Sequence, residues 1–61
     1  MNILVPLAEG FEEIEAVTII DMLRRAGHTV TTASLKNKIV TGAHSIQITA
    51  DKILTEIRFE E

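Results

Sequence analysis

Residues 3–17 read ILVPLAEGFEEIEAV, and this stretch decides the fold. The apolar run over residues 2–7 has the length of a buried strand, and the acidic, amphipathic segment that follows Gly10 predicts a helix. A strand that leads directly into a helix is typical of open α/β sheets, whose sites lie at the carboxyl ends of the strands. The stretch therefore predicts an α/β fold with a candidate site at the start of the helix, where Glu15 lies.

The helix is predicted over about residues 12–26, because its apolar positions cover a face broad enough for two surfaces. Acidic residues at its start and two arginines at its end both stabilise the helix, because their charges are opposite to the helix dipole at those ends. Gly27 follows as the expected left-handed cap. At the other end, Gly10 or Phe11 would have to serve as N-cap, and neither side chain offers an acceptor.

A second strand is predicted over residues 28–33, which alternate and are rich in Thr and Val. The strand-helix-strand unit implies a parallel pair of strands. Two short β-prone pieces, residues 39–41 and 45–49, then predict a small hairpin. Asp51 is predicted to cap a short helical turn that reaches Leu54.

Length and composition suggest that the chain is part of a larger assembly. At 61 residues without cysteine it is near the lower limit for a domain that folds alone, yet 46% of its residues are hydrophobic, which argues against disorder. We therefore expect a companion chain or further sequence to cover the apolar surface. The last three residues predict no further element.

Charge and hydropathy narrow the classes of partner. A net charge of −3 with only six Lys and Arg gives no electrostatic footprint for nucleic acid or an anionic membrane surface. The apolar runs are too short to span a membrane, and the first residues do not resemble a signal peptide. A cytoplasmic location is the resulting expectation.

Three glutamates and two histidines are the chemically notable side chains. The position of Glu15 favours a solvated carboxylate at the start of the helix, and the alternative is a carboxylate that belongs to a site. On the same ground, Glu12 and Glu13 are interpreted as plain helix-start charges. His28 and His44 lack the spacing of a ligand set, so no metal site is predicted. A single turn glycine does not make a phosphate loop, so no cofactor is predicted either.

The residues themselves suggest a family. The run from Val5 to Gly27 (VPLAEGFEEIEAVTIIDMLRRAG), followed by TVTTAS at residues 29–34, closely resembles the amino-terminal end of the ThiJ/PfpI superfamily. Its nearest likeness is the DJ-one branch, named for the Parkinson's-disease protein. The resemblance extends through the hairpin and residues 50–54 to the last residues, so it covers the whole of residues 1–61 but only about the first third of a family domain.

The resemblance implies a fold and several site residues. The fold is a flavodoxin-like α/β three-layer sandwich, of which this chain is the incomplete N-terminal portion. Glu15 matches a helix glutamate that hydrogen-bonds the family's reactive cysteine, a cysteine that this chain does not contain. Arg25 matches an arginine near an anion-accepting region, and His44 matches a hairpin residue that approaches the partner subunit's site. The first helix contributes to the usual homodimer contact.

The resemblance leaves the activity open. Members have glyoxalase or deglycase-type activity on small reactive carbonyl compounds, chaperone or redox-sensing roles, or, in the PfpI branch, peptidase activity, and some carry a label for thiazole monophosphate biosynthesis. Without the nucleophile, the chain alone is expected to be catalytically inert. The leading interpretation is therefore an N-terminal fragment or split subunit that supplies Glu15 to a cysteine site completed by a companion chain. The alternatives are a non-enzymatic redox-sensing or chaperone-like dimer and a truncated gene product.

Overall fold

The computed structural model describes residues 1–57, which form five strands, one α-helix and a short 3-10 turn. In chain order these elements are β1 (Asn2–Leu7), α1 (Glu13–Arg25), β2 (Thr29–Ser34), β3 (Ile39–Thr41), β4 (Gln47–Thr49), β5 (Lys52–Ile53) and the turn Leu54–Glu56. Phe59, Glu60 and Glu61, for which the sequence predicts no element, lie outside the described residues.

A three-stranded sheet in the order β1-β2-β5 forms the centre of the described region. Both pairings are parallel, and Ser34 lies opposite Leu7 on one side and Ile53 on the other. The predicted parallel pair is therefore confirmed, and the carboxyl ends of β1, β2 and β5 meet at one edge of the sheet. Pro6 lies one residue before the end of β1, a position where its missing N–H costs little.

The helix begins one residue later than predicted. Glu12, rather than Gly10 or Phe11, takes the N-cap position with an extended backbone, and its side chain makes no capping hydrogen bond. The N-cap lies beyond Gly10 and Phe11 because these residues form a turn. Gly10 has φ 85°, and the N–H of Phe11 donates to the Ala8 carbonyl at 3.1 Å. At the other end Gly27 has φ 94°, which confirms the predicted left-handed cap.

The hairpin of β3 and β4 forms a separate two-stranded antiparallel sheet, and its Val40 packs in one core with Leu7 at the end of β1. Strand β4 is shorter than the predicted residues 45–49, because Ser45 turns at φ 67° and the N–H of Ile46 leaves the ladder for a side-chain acceptor on α1. The small core joins the end of β1 to the hairpin. It comprises Leu7, Val40 and Ala50, with Phe11, Ala16 and Ile48 packed around them.

Asp51 does not cap a helical turn, so that prediction is wrong. Residues Lys52–Ile53 form β5, and the 3-10 turn follows with Ile53 in the cap position. Asp51 Oδ2 instead accepts hydrogen bonds from the Thr32 N–H at 2.9 Å, the Thr32 hydroxyl at 3.2 Å and Arg24 Nη2 at 3.2 Å. The two Thr32 groups on β2 can donate to the Asp51 carboxylate because β5 pairs with β2 and brings Asp51 alongside it.

One face of α1 is buried and another is exposed. Ile20 is the buried apolar residue of the helix, with Ala16 and Leu23 partly buried. A second set of large apolar side chains on α1 is exposed, and it comprises Ile14, Val17, Ile19 and Met22. The helix therefore presents a second apolar surface beyond the one that it packs within the described region.

Candidate functional site at the start of the helix

Backbone hydrogen bonds tie the loop between β1 and α1 to the hairpin. The N–H of Gly10 donates to the Thr41 carbonyl, and the N–H of Ala43 donates to the Phe11 carbonyl, both at 2.8 Å. From the loop side, Glu9 Oε2 accepts the N–H of Thr41 at 3.0 Å. The start of α1 and the hairpin tip, defined as residues 42–46, therefore lie side by side.

Glu13 joins these two elements through a buried carboxylate. Its side chain is only 6% exposed. One oxygen, Oε2, accepts the N–H groups of His44 at 2.7 Å and Ile46 at 3.2 Å. The other, Oε1, lies 3.0 Å from Nδ1 of the His44 ring. One residue in the first turn of α1 thus binds two residues of the hairpin tip, His44 and Ile46.

The hydrogen bonds determine the charge state of both partners. Burial opposes ionisation of Glu13, but hydrogen bonds from the His44 ring and from the N–H groups of Glu13, His44 and Ile46 outweigh it and lower the pKa of Glu13 to about 2. The hydrogen bond to Glu13, together with the charges of Glu13 and Glu12, raises the pKa of His44 above 6.5, against a smaller opposing effect of desolvation. The pair is therefore a carboxylate and an imidazole that favours its protonated form.

The interpretation of Glu13 as a plain helix-start charge is wrong. A carboxylate of that kind would be solvated, whereas Glu13 is buried and bonded to residues 31 and 33 positions away. The sequence carries one signal of this role. Gly42 lies where an added Cβ would collide with the Glu13 carboxyl group, so a hairpin glycine marks the close approach.

The predicted site residues occupy different places. Glu15 lies in the first turn of α1 with an exposed side chain. His44 lies at the hairpin tip with its side chain 73% exposed and Nδ1 of its ring 3.0 Å from Glu13 Oε1. Arg25 lies in the last turn, where its Nε pairs with Asp21 at 2.9 Å. Twelve residues at 1.5 Å each place Arg25 about 18 Å along the helix from Glu13, so the fold brings His44, but not Arg25, to the start of α1.

A cluster of metal-ligating atoms occurs at this place. Glu12, Glu13 and His44 each offer one atom, all within 4.8 Å of one another. Two features favour an ion pair over a cation site. Glu13 already accepts two backbone N–H groups, and the positive end of the α1 dipole repels cations. The arrangement is therefore a carboxylate hydrogen-bonded to an imidazole.

A cleft of about 520 Å³ lies at the carboxyl ends of β1 and β2. Leu7, Ser34 and Val40 line its strand side. Among residues 1–57, the buried hydroxyl of Ser34 has no hydrogen-bond partner. The cleft occupies the edge of the sheet where the sequence predicts a site, although Glu15 and His44 lie at the start of α1 and Arg25 lies at its other end. A separate finding concerns membranes: among the helices of residues 1–57, none has the length and apolar character of a membrane span.

The Glu13–His44 pair predicts how stability depends on pH. The lowered pKa of Glu13 contributes stability that is complete above 4.5 and is lost as pH falls towards about 2. The raised pKa of His44 contributes stability that is complete below 6.5 and is lost as pH rises through its folded value. We expect the melting temperature, followed by circular dichroism, to be highest between pH 4.5 and 6.5. A melting temperature that stays level above pH 6.5 would contradict this.

Comparison with known proteins identifies relatives of this chain. The chain is 46% identical to the protein DJ-1 homolog B of Arabidopsis thaliana over 57 residues, which cover 92% of this chain and 13% of that protein. It is 31% identical to a deglycase of Pyrococcus abyssi over 61 residues, all of this chain and 37% of that protein. Its structure matches oxidised DJ-1 of Toxoplasma gondii with a TM-score of 0.88 and 46% identity, over 90% of this chain and 30% of that one.

These matches confirm the predicted flavodoxin-like α/β fold and the N-terminal portion of it. The chain spans between 13% and 37% of the length of the curated relatives that it matches, so the activity of those proteins does not transfer with the fold. The DJ-1/PfpI family model matches residues 1–61, and the chain belongs to that family.

Proposed function

We propose that this chain supplies Glu15 as the supporting acid of a reactive-thiol site in a DJ-1/PfpI-type protein. The cysteine of that site would come from sequence outside these 61 residues. The observation that carries the proposal is the difference in burial between two glutamates in the first turn of α1. Glu13 is buried against the hairpin, whereas Glu15, two residues on, is exposed and available to a group from elsewhere.

The chemistry assigned to Glu15 depends on its protonation. A protonated carboxyl group can donate a hydrogen bond to a thiolate or to an oxidised sulfur, and so favours those forms. An ionised carboxylate would instead raise the pKa of the thiol. Glu15 therefore acts by setting the ionisation and oxidation of the cysteine, and the chemistry requires no cofactor.

The activity proposed for the complete protein is glyoxalase or deglycase-type conversion of small reactive carbonyl compounds. The deglycases of Pyrococcus abyssi and Thermococcus kodakarensis, at 31% and 30% identity, support this choice. We also propose that the complete protein forms a homodimer through the exposed face of α1. Its proposed location is the cytoplasm. The exposed Ile14 and Met22 support that contact, because a helix face of this kind is typical of an interface.

A redox-sensing or chaperone-like dimer without turnover is the second candidate. It is favoured by the Toxoplasma gondii relative, whose matched structure is of the oxidised protein. Turnover of methylglyoxal by the complete protein would support the enzyme. Oxidation of the cysteine without any turnover would support the sensor.

The role of Glu15 is tested by Glu15→Ala and Glu15→Gln in the complete protein. We expect Glu15→Ala to lower methylglyoxal turnover by about 10²-fold or more, the range for a positioned acid, and Glu15→Gln to retain part of the activity because the amide still donates. If turnover is absent from the parent protein, the rate of cysteine oxidation by peroxide is measured instead. Asp21→Ala, which removes a negative charge from the exposed side of the same helix, is the matched control. Equal rates in Glu15→Ala and the parent would overturn the assignment.

A further inference from the structure

We propose that Glu13 is a positioning residue for Glu15: its bonds to the hairpin tip fix the direction in which the Glu15 carboxyl group points. The role rests on the proposed function, since it applies to the same thiol site. Glu13 acts through Glu15 and not on the thiol itself. It does so by fixing how the first turn of α1 is rotated about the helix axis.

The first turn of α1 has little local support. Its N-cap residue, Glu12, makes no side-chain capping hydrogen bond, so the N–H groups that a cap would satisfy are left without it. Glu13 is the buried residue of this turn, whereas Glu12, Ile14 and Glu15 are exposed in the described region. Because a helix end without a cap frays, a contact from outside the helix is needed to hold this turn in one orientation.

Glu13 makes that contact with the hairpin tip. Its Oε2 accepts the N–H groups of His44 at 2.7 Å and Ile46 at 3.2 Å, so the carboxylate is tied to backbone outside the helix. Gly42 closes the carboxyl group in from another side, at a distance that leaves no room for a Cβ. The Glu13 side chain is 6% exposed, and further sequence packed on this chain can only increase its burial.

The spacing of the two glutamates converts this contact into a direction for Glu15. Successive residues of an α-helix are rotated by about 100°, so residues two apart point to nearly opposite sides. With Glu13 directed at the hairpin tip, Glu15 is directed away from it. A rotation of the first turn that released Glu13 would turn the Glu15 carboxyl group through the same angle. Hydrogen bonds weaken steeply with misalignment, so the bond from Glu15 to a sulfur would be lost.

Amide hydrogen exchange, followed by NMR in the complete protein, tests the positioning without reference to the thiol. The Ala16 N–H donates to the Glu12 carbonyl at 2.9 Å, so its protection reports on the first turn. In Glu13→Ala we expect exchange at Ala16 to be about 10-fold or more faster, because hydrogen bonds to a charged carboxylate are lost. Glu13→Gln should keep most of the protection, since its amide oxygen still accepts the hairpin N–H groups. Equal protection of Ala16 in the parent and in Glu13→Ala would overturn the inference.

The pKa of the thiol in the complete protein, read from the ultraviolet absorbance of the thiolate, tests the consequence for the site. Glu13→Ala should shift the thiol pKa in the same direction as Glu15→Ala. It should add little in a Glu15→Ala background, because Glu13 acts through Glu15. Glu13→Gln, which removes the charge and keeps the acceptor, should leave the thiol pKa close to that of the parent. Additive shifts in the double variant, or equal shifts in Glu13→Gln and Glu13→Ala, would overturn positioning in favour of a direct effect of the Glu13 charge.

The same measurements distinguish failure of this role from failure of the proposed function. If Glu15→Ala leaves the thiol pKa unchanged, the role of Glu15 is wrong and the role of Glu13 falls with it. If Glu15→Ala shifts the thiol pKa and Glu13→Ala does not, only the positioning by Glu13 is overturned. Should Glu13→Ala fail to fold, Gly42→Ala takes its place, because its methyl group displaces the Glu13 carboxylate without changing the helix sequence. We expect Gly42→Ala to shift the thiol pKa in the direction of Glu15→Ala, and an unchanged thiol pKa would overturn the inference.

Discussion

Gly42→Ala is expected to destabilise the protein by about 1–3 kcal/mol, the usual cost of forcing an extra methyl group into a packed site. The added Cβ would lie 2.6 Å from Cγ of Glu13 and closer still to its carboxyl group. A flexible side chain could normally move aside at little cost. Glu13 cannot, because any displacement breaks its bonds to His44 and Ile46. The methyl group therefore acts by releasing the hairpin tip.

A double variant separates this mechanism from a general intolerance of alanine in the hairpin. In a Glu13→Ala background the colliding carboxyl group is gone, so Gly42→Ala should then cost much less than it does alone. The measurement is urea unfolding of the purified parent, the two single variants and the double variant. Additive losses in this cycle would show that Gly42 is required for a reason other than Glu13.

Asp51→Ala is expected to cost about 1–3 kcal/mol, because it leaves the buried N–H of Thr32 without its acceptor. Thr32 is only 5% exposed, and both its N–H and its hydroxyl donate to Asp51 Oδ2. The Thr32 N–H bond also makes the largest contribution to the lowered pKa of Asp51. Loss of the ion pair to Arg24 adds little, since both side chains are about half exposed.

The control for Asp51 is Arg25→Ala, which breaks the Arg25–Asp21 pair on the outer face of the helix. Both side chains of that pair are more than half exposed, so we expect a loss of at most about 0.5 kcal/mol. The comparison uses urea midpoints at an unchanged slope. If the two variants lost stability equally, the buried bonds of Thr32 could not be the reason for the effect of Asp51.

Patterns local in sequence predicted most of the fold. The apolar run before Gly10 and the apolar periodicity after it predicted β1 and α1, and the Thr- and Val-rich run predicted β2. The left-handed Gly27 also followed from its position after the helix. Strand β5 has only two residues and pairs with a strand distant in sequence, so no local pattern predicts it, and the local pattern around Asp51 favours a helix cap instead.

The candidate site was harder to predict, because its central contact joins distant residues. Nothing in the run Glu12-Glu13-Ile14-Glu15 indicates which glutamate turns inward, since helix-start acids share the same local preference. The choice depends on where the hairpin tip lies, and that is a property of the tertiary structure. The role of Glu15 stays a prediction, because the group that it would contact lies outside this chain.

The hairpin has only three residue pairs in its ladder, Ile39–Thr49, Val40–Ile48 and Thr41–Gln47. A two-stranded ribbon of that size is at best marginally stable in water. It therefore has no local stability apart from its attachment to the β1–α1 loop and to Glu13. The free energy of local opening of residues 39–49 is then the free energy of undocking. The Glu13 carboxylate, the hydrogen bonds of the β1–α1 loop and the core around Val40 together join the hairpin and the strand-helix-strand unit into a single cooperative unit.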